Sequence, residues 1–416
     1  MTLPPPGPDA LAHSGALAER IADAIRAAGG WIGFDAWMAR ALYEPGLGYY
    51  AGPARPFGAA GDFVTAPELS PLFAECVAVQ LSQWFGHASP EVIEFGAGTG
   101  RLAAGVLGAL RELGTPARRY AIVEVSGALR ARQRETIARE APWALDAVEW
   151  LDALPASIDG VVLGNEVLDA MPVRVWEHEA GVLRELGVAL DADDGFAWAA
   201  LPADTALREA VARSLRAADD AHLADDSDDT DADAGPGPGD ADPFARLGPG
   251  RYRSELGEQA AAWVATVGRA LRRGAMLLVD YGFPAREYYH PQRDGGTLIA
   301  HRRHHAHGDV LRWPGLQDVT AHVDFSAVAR AARGAGLAPL GYASQARFLL
   351  DCGVLERLAT DARDAPLDPA RVRALGAVQT LLSEAEMGEL FKAIAFGRGV
   401  PDDAIGFARG DRRGAL

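Results

Sequence analysis

Two short stretches hold the residue types and spacings from which chemistry can be built. The first is EVIEFGAGTGRL, Glu91–Leu102, in which an apolar run meets Gly96, Gly98 and Gly100 before a helix-periodic segment begins. A strand feeding a glycine turn and then a helix is the βα unit of a nucleotide-binding sheet. Gly96 suits the tight turn, Gly98 the close approach of a ligand to the backbone, and Gly100 close helix–strand packing. The spacing is G-x-G-x-G rather than G-x-G-x-x-G, and Glu94, two residues before Gly96, would repel a pyrophosphate. An acid there suits a cofactor with a cationic end, such as the amino group of S-adenosyl-L-methionine (SAM). The helix N-terminus would then meet the cofactor's carboxylate. The next predicted strand, Tyr120–Val125, carries Glu124 near its end, where a ribose-binding carboxylate is expected. A glycine loop used only for packing is the alternative.

The second stretch is Asn165-Glu166-Val167-Leu168-Asp169, which follows the predicted strand Gly160–Leu163. Ligands of such sheets bind outside the carboxyl ends of the strands, so these side chains face the acceptor. Were the acceptor a guanidinium, a fork of donors that carboxylates bind in bidentate fashion, Glu166 would be the first catalytic candidate and Asp169 the second. Bonds from these two acids to neighbouring segments are the alternative. Direct in-line methyl transfer asks for positioning more than for a strong base. His322, in the stretch TAHVDF, can accept a proton or hold the acceptor loop; a structural role is its alternative. Asn165 is grouped with the cofactor residues. So is Asp152, in the turn after the third strand, near the adenine. Asp62 and Thr65 in GDFVTAPELSP can close over the cofactor, or cap the helix that follows. The run HRRHHAH, His301–His307, lacks carboxylate or cysteine support and interleaves two arginines, so it reads as a basic loop against a substrate protein and not as a metal site.

The elements that must position these groups alternate. Predicted strands at Val92–Phe95, Tyr120–Val125, Val148–Trp150, Gly160–Leu163 and Ala275–Tyr281 are separated by helices or insertions, which means a parallel, doubly wound α/β sheet. Strands near Ala338–Tyr342 and Phe391–Gly397 complete seven, with a final hairpin. Val173–Trp176, Val182–Leu190 and Phe196–Leu201 read as short antiparallel strands on the sheet's edge. A long loop is expected over Gly282–Val323. The chain divides into an aromatic-dense N-terminal helical arm (1–60), a first part of the core (61–180), an insertion (181–257), a second part of the core (258–400) with a helical insertion at 345–385, and a tail (401–416). Within the insertion, the Asp-, Ala-, Gly- and Pro-rich segment 217–250 is expected to be disordered.

The formal charge of −17 over 416 residues argues against a generally basic nucleic-acid binder. Ten aspartates between Asp219 and Asp242 supply much of it. Two distant cysteines, Cys76 and Cys352, fit neither a disulfide framework nor a metal site. The N-terminus has no secretory pattern and no apolar run is long enough to span a bilayer, so a cytoplasmic protein is expected. No feature specifies an oligomeric state.

Taken together, GDFVTAPELSPLFAE, VIEFGAGTGRLA, VEVSGALRARQ, GNEVLDAMPVRVWE, LLVDYGFPAREYYHPQRDGGTL and DVTAHVDFSAVA resemble the MidA family of SAM-dependent methyltransferases. The resemblance spans about residues 30–399 and is interrupted by the Asp-rich insert, a departure that leaves partner choice open. It implies a class I methyltransferase (Rossmann-like) sheet of seven strands in the order 3-2-1-4-5-7-6, with SAM as cofactor. It also implies an arginine of a partner protein as acceptor, in the manner of the family's mitochondrial complex I assembly factor, with a respiratory NADH dehydrogenase subunit as the expected partner. A non-catalytic SAM-binding assembly factor and a small-molecule methyltransferase are the alternatives.

Overall fold

The computed structural model describes residues 3–52, 64–225, 242–362 and 369–416. Its central sheet has eight strands: β1 Glu91–Phe95, β2 Arg119–Val123, β3 Val148–Leu151, β4 Ile158–Asn165, β5 Leu271–Phe283, β6 Val323–Asp324, β7 Ala338–Ser344 and β8 Phe391–Arg398. Seven lie in the order β7-β8-β5-β4-β1-β2-β3, and the two-residue β6 adds beside the end of β5. This is one strand more than the seven expected. Strands β1 to β5 run parallel, whereas β8 is antiparallel to both β5 and β7.

Side chains alternate across this sheet as the pleat requires. Val92, Ile122, Val161, Leu163, Leu277 and Val279 face the helices Pro71–Phe85 and Arg101–Glu112. Ile93, Phe95, Val162, Met276 and Leu278 face Glu258–Ala270 and Phe325–Gly334. Covering on both faces explains why β4 and β5 read as continuous apolar runs.

The three antiparallel strands of the insertion do not extend this sheet. Arg174–Glu179, Val182–Leu190 and Phe196–Pro202 join Tyr252–Leu256 and Ile32–Gly33 in a separate five-stranded sheet. Ile32 and Gly33 pair with Val188 and Gly187, so the N-terminal arm supplies an edge strand. Helices Pro8–Ala27 and Phe34–Tyr43 then pack Leu17, Ile21, Trp37 and Met38 against Val175, Leu186 and Val188.

Two more expectations need correction. The stretch Gly282–Val323 is not one loop: it contains the short helix Ala285–Tyr288 and a three-stranded sheet of Ile299–Arg302, His305–His307 and Asp318–Thr320. Strands of three or four residues leave no readable alternation, and these are ordered by Ala300 and Val319 entering the arm's core. The expected disorder over 217–250 is also too wide. The helix Thr205–Asp225 runs into that range, with Leu207, Val211 and Leu215 buried, and Pro243–Leu247 forms a 3-10 turn; residues 226–241 lie outside the described ones.

Strands β4 and β5 face each other at Gly160 and Gly274, and Gly160 also abuts Glu91 of β1. A Cβ on Gly274, at φ +119°, would lie 1.8 Å from the Gly160 carbonyl oxygen, and one on Gly160 would lie 2.4 Å from that of Glu91. Replacing Gly274 by valine should therefore cost roughly 3 kcal/mol or more in a denaturant titration. The half-exposed Leu113→Ala should stay within about 0.5 kcal/mol.

Candidate functional site

The glycine turn after β1 adopts the conformation that its composition requires. Gly96, Gly98 and Gly100 have φ of 66°, 48° and 83°, all in the left-handed region that side chains avoid. A Cβ at Gly96 would come 2.8 Å from Cγ2 of Val167. A Cβ at Gly100 would come 2.9 Å from Cα of Gln133. Gly96 and Gly98 line a cavity of 990 Å³ at the carboxyl end of the parallel strands. Gly100 does not line it; it caps the helix Arg101–Glu112 and lets the helix Gly127–Glu140 dock against the loop.

Of the other predicted residues, the cavity brings together Thr65, Glu94, Glu124, Asn165, Glu166, Asp169 and His322. Thr65 starts the helix Ala66–Leu69 without a side-chain cap bond, so its hydroxyl is not used for capping. Asp152 is not among the lining residues: its side chain is 90% exposed and pairs with Arg130 at 2.6 Å. Arg130 also donates to the Glu124 and Leu151 carbonyls, which ties the ends of β2 and β3 together and leaves Asp152 as the outer partner. Asp62 lies outside the described residues.

Glu94 is buried and accepts the Tyr120 hydroxyl at 2.7 Å. Burial pushes its carboxyl up to about 7, and that hydrogen bond holds it back. A nearby ammonium group would ionise it fully. Glu124, just past β2, is oriented by two donors, the Ser126 amide at 2.8 Å and the Gln133 side chain at 3.2 Å.

The second end of the cavity is built on the turn after β4. Asp280, buried in β5, accepts the amides of Val167, Leu168 and Asp169 on one carboxylate oxygen at 3.1, 2.8 and 3.4 Å. Glu166 is held at φ +52° with its amide donating to the Val279 carbonyl at 2.8 Å. Such a conformation costs on the order of 1–3 kcal/mol outside glycine and persists where the surroundings dictate it. Asn165 donates to Glu166 at 3.0 Å. Burial, then the neighbouring Asp169, pushes Glu166 up to about 8. Burial also pushes Asp169 up to about 6, with a bond from Tyr281 opposing it.

Three further polar lining residues come from the N-terminal arm and from the stretch expected as a loop. Tyr43 and Tyr50, from the N-terminal arm, stack with ring centroids 5.6 Å apart. Tyr43 donates to the Ala170 carbonyl at 2.9 Å, and Tyr50 donates to Asp318 at 2.8 Å. Asp318 sits on a three-residue strand within the expected loop, where no pattern marks it. His322 is neutral at neutral pH, because burial, followed by repulsion from Arg293 and Lys392, lowers it to about 4. Its ring meets Tyr281 edge-on at 5.2 Å. Asp324, beside it, is the N-cap of Phe325–Gly334, accepting from Ala327, and does not line the cavity.

The described lining therefore carries six carboxylates: Glu68, Glu94, Glu124, Glu166, Asp169 and Asp318. Its arginine, Arg101, pairs with Glu140 at 2.5 Å. Such a site selects cationic groups, and its volume is ample for a nucleoside-sized ligand together with an acceptor side chain.

Known proteins accord with this arrangement. A family model described as "Putative S-adenosyl-L-methionine-dependent methyltransferase" matches residues 72–343. The Mus musculus protein named protein arginine methyltransferase NDUFAF7, mitochondrial, is 30% identical over 387 residues, covering 86% of this chain and 79% of its own. The Homo sapiens protein of the same name is 27% identical over 387 residues, covering 86% and 78%. A Burkholderia thailandensis protein crystallised with S-adenosyl-homocysteine is 49% identical over the whole of both chains, with a TM-score of 0.85. The cofactor is SAM, and the glycine cradle, the oriented Glu124 and the acidic wall fit it. Gly96→Val, which drives a side chain into Val167 beside the cradle, should weaken S-adenosyl-homocysteine binding at least about tenfold by calorimetry while the far-ultraviolet circular dichroism is kept. The chain belongs to this family of SAM-dependent methyltransferases.

Proposed function

We infer that the enzyme transfers a methyl group from SAM to an arginine of a partner protein. The observation that carries this reading is the convergence of Glu166, Asp169 and Asp318 with Tyr43, Tyr50 and Tyr281 at one end of the cavity. Carboxylates bind a guanidinium fork directly, and stacked phenol rings offer a face to a planar cation. The names of the mouse and human relatives, both protein arginine methyltransferases, support it.

Each side chain then has a role. Gly96 and Gly98 let the cofactor's amino-acid end approach the backbone, Glu94 meets its ammonium group, and Glu124 takes the ribose hydroxyls. SAM, when bound, supplies an electrophilic methyl group on a positively charged sulfur. Glu166 and Asp169 orient the guanidinium and draw its positive charge toward the nitrogens they bind, leaving electron density on the attacking one. The proton released after transfer has acceptors at hand in these two carboxylates. Neutral His322 lines the wall and is too weak a base to hold a proton near pH 7. The acceptor protein to assay first is a respiratory NADH dehydrogenase subunit.

In the free enzyme Glu166, raised to about 8, carries a proton at pH 7, and only its ionised form pairs with a cation. The guanidinium stays protonated throughout this range. Hence kcat/KM for an arginine acceptor should rise as pH increases from 7 to 9, with an inflection near 8. Glu166→Gln should lower kcat/KM by about a hundredfold or more and remove that inflection, while S-adenosyl-homocysteine affinity changes by less than about threefold. Methyl incorporation from labelled SAM, with the modified residue located by mass spectrometry, reads both; label on a residue other than arginine would overturn the assignment.

A further inference from the structure

Gln133 lies in the helix Gly127–Glu140, is fully buried, and ends the VEVSGALRARQ block. Its side-chain amide reaches three separate βα units. Nε2 donates to the Gly98 carbonyl at 3.2 Å and to the Glu124 carboxylate at 3.2 Å. Oε1 accepts the indole N–H of Trp150, on β3, at 2.9 Å. The orientation of this amide is fixed by chemistry: an indole can only donate, whereas a carbonyl and a carboxylate can only accept. Both hydrogens and the oxygen are thus used, and the group cannot flip without facing donor against donor.

The backbone of Gln133 is also where the glycine loop presses on this helix, since a Cβ on Gly100 would reach its Cα at 2.9 Å and its carbonyl oxygen at 3.1 Å. One residue therefore touches the loop at Gly98 and Gly100 and the acid that follows β2. With Ser126 donating to the other oxygen of Glu124, the carboxylate has one donor on each oxygen and a set direction.

We propose that Gln133 is a positioning residue that sets the Glu124 carboxylate against the glycine loop, so that the distance between the cofactor's amino-acid end and its ribose is read by one amide. This rests on the reading of Glu124 as the ribose-binding acid. Gln133 touches no ligand itself. Its loss acts on the recognition of the ribose hydroxyls and not on binding in general.

The test compares S-adenosyl-homocysteine with its 2′,3′-dideoxy analogue by calorimetric titration of the full chain. A hydroxyl donating to a carboxylate makes the wild type prefer the natural ligand by about tenfold or more. Gln133→Met should reduce that preference to within about threefold while its affinity for the dideoxy analogue stays close to wild type. Trp150→Phe, which keeps the ring and frees Oε1 of Gln133, should give an intermediate preference, and it serves alone if the methionine variant does not fold. Equal weakening of both ligands, with the preference intact, would assign Gln133 to general packing and overturn the proposal. Glu124→Gln separates the two possible failures. If it abolishes the preference while both other variants retain it, only the role of Gln133 falls; if it too retains the preference, the ribose assignment of Glu124 falls, and the proposal with it.

Discussion

One oxygen of Asp280 gathers the amide hydrogens of three consecutive residues, Val167, Leu168 and Asp169. This couples the end of β5 to the turn after β4. Unsatisfied, three buried amides would each cost on the order of 1–3 kcal/mol, so the turn has little freedom to relax elsewhere. The same turn keeps Glu166 in its left-handed conformation and places Val167 where only a glycine at position 96 can pass. The cofactor loop and the acceptor carboxylates are thereby shaped by one constraint. It holds the two halves of the reaction at a fixed separation without either half bonding to the other.

Electrostatics gives the site its selectivity. Acids buried beside one another, with no free cation among the described lining residues, are costly in isolation and resolve the cost by holding protons. Burial lifts Glu94, Glu166 and Asp169 above their ordinary ranges, and the neighbouring Asp169 lifts Glu166 further. A cationic ligand end would relieve that cost by pairing with the ionised carboxylates. The site thus favours charge where charge is needed, and a neutral isostere would find carboxyls with no reason to ionise.

The parts of the site legible in the sequence were those written locally. Gly96, Gly98, Glu124, Glu166 and Asp169 sit at strand ends, and strand ends are signalled by apolar runs stopping at glycine or acid. Asp152 also sits at a strand end, but its direction is decided by Arg130 from the neighbouring helix, which no local pattern announces. Tyr43 and Tyr50 reach the cavity through the packing of the arm on the inserted sheet, and Asp318 through the three-stranded sheet within Gly282–Val323. Gln133 is one buried polar residue on a mostly polar helix, so periodicity does not single it out. The expected sheet missed β6, whose two residues carry no signal of their own, and was given at its edge three strands that belong to a separate sheet.

The N-terminal arm has a consequence for how the molecule is made. Its bonds run to residues far along the chain: Tyr43 to Ala170, Tyr50 to Asp318, Ser14 to Pro314. During synthesis the arm emerges first; Ala170 and Val182–Leu190, the strand it pairs with, follow before the chain is half made, but Pro314 and Asp318 arrive only when about three quarters of it exists. Val175, Leu186 and Val188 give Trp37 and Met38 a partial core before then, and Ala300, Val319 and Ala321 complete it. The aromatic roof of the acceptor end is therefore the earliest part of the polypeptide and among the latest to be seated, and a truncated or stalled chain cannot assemble a working site however well its central sheet has formed.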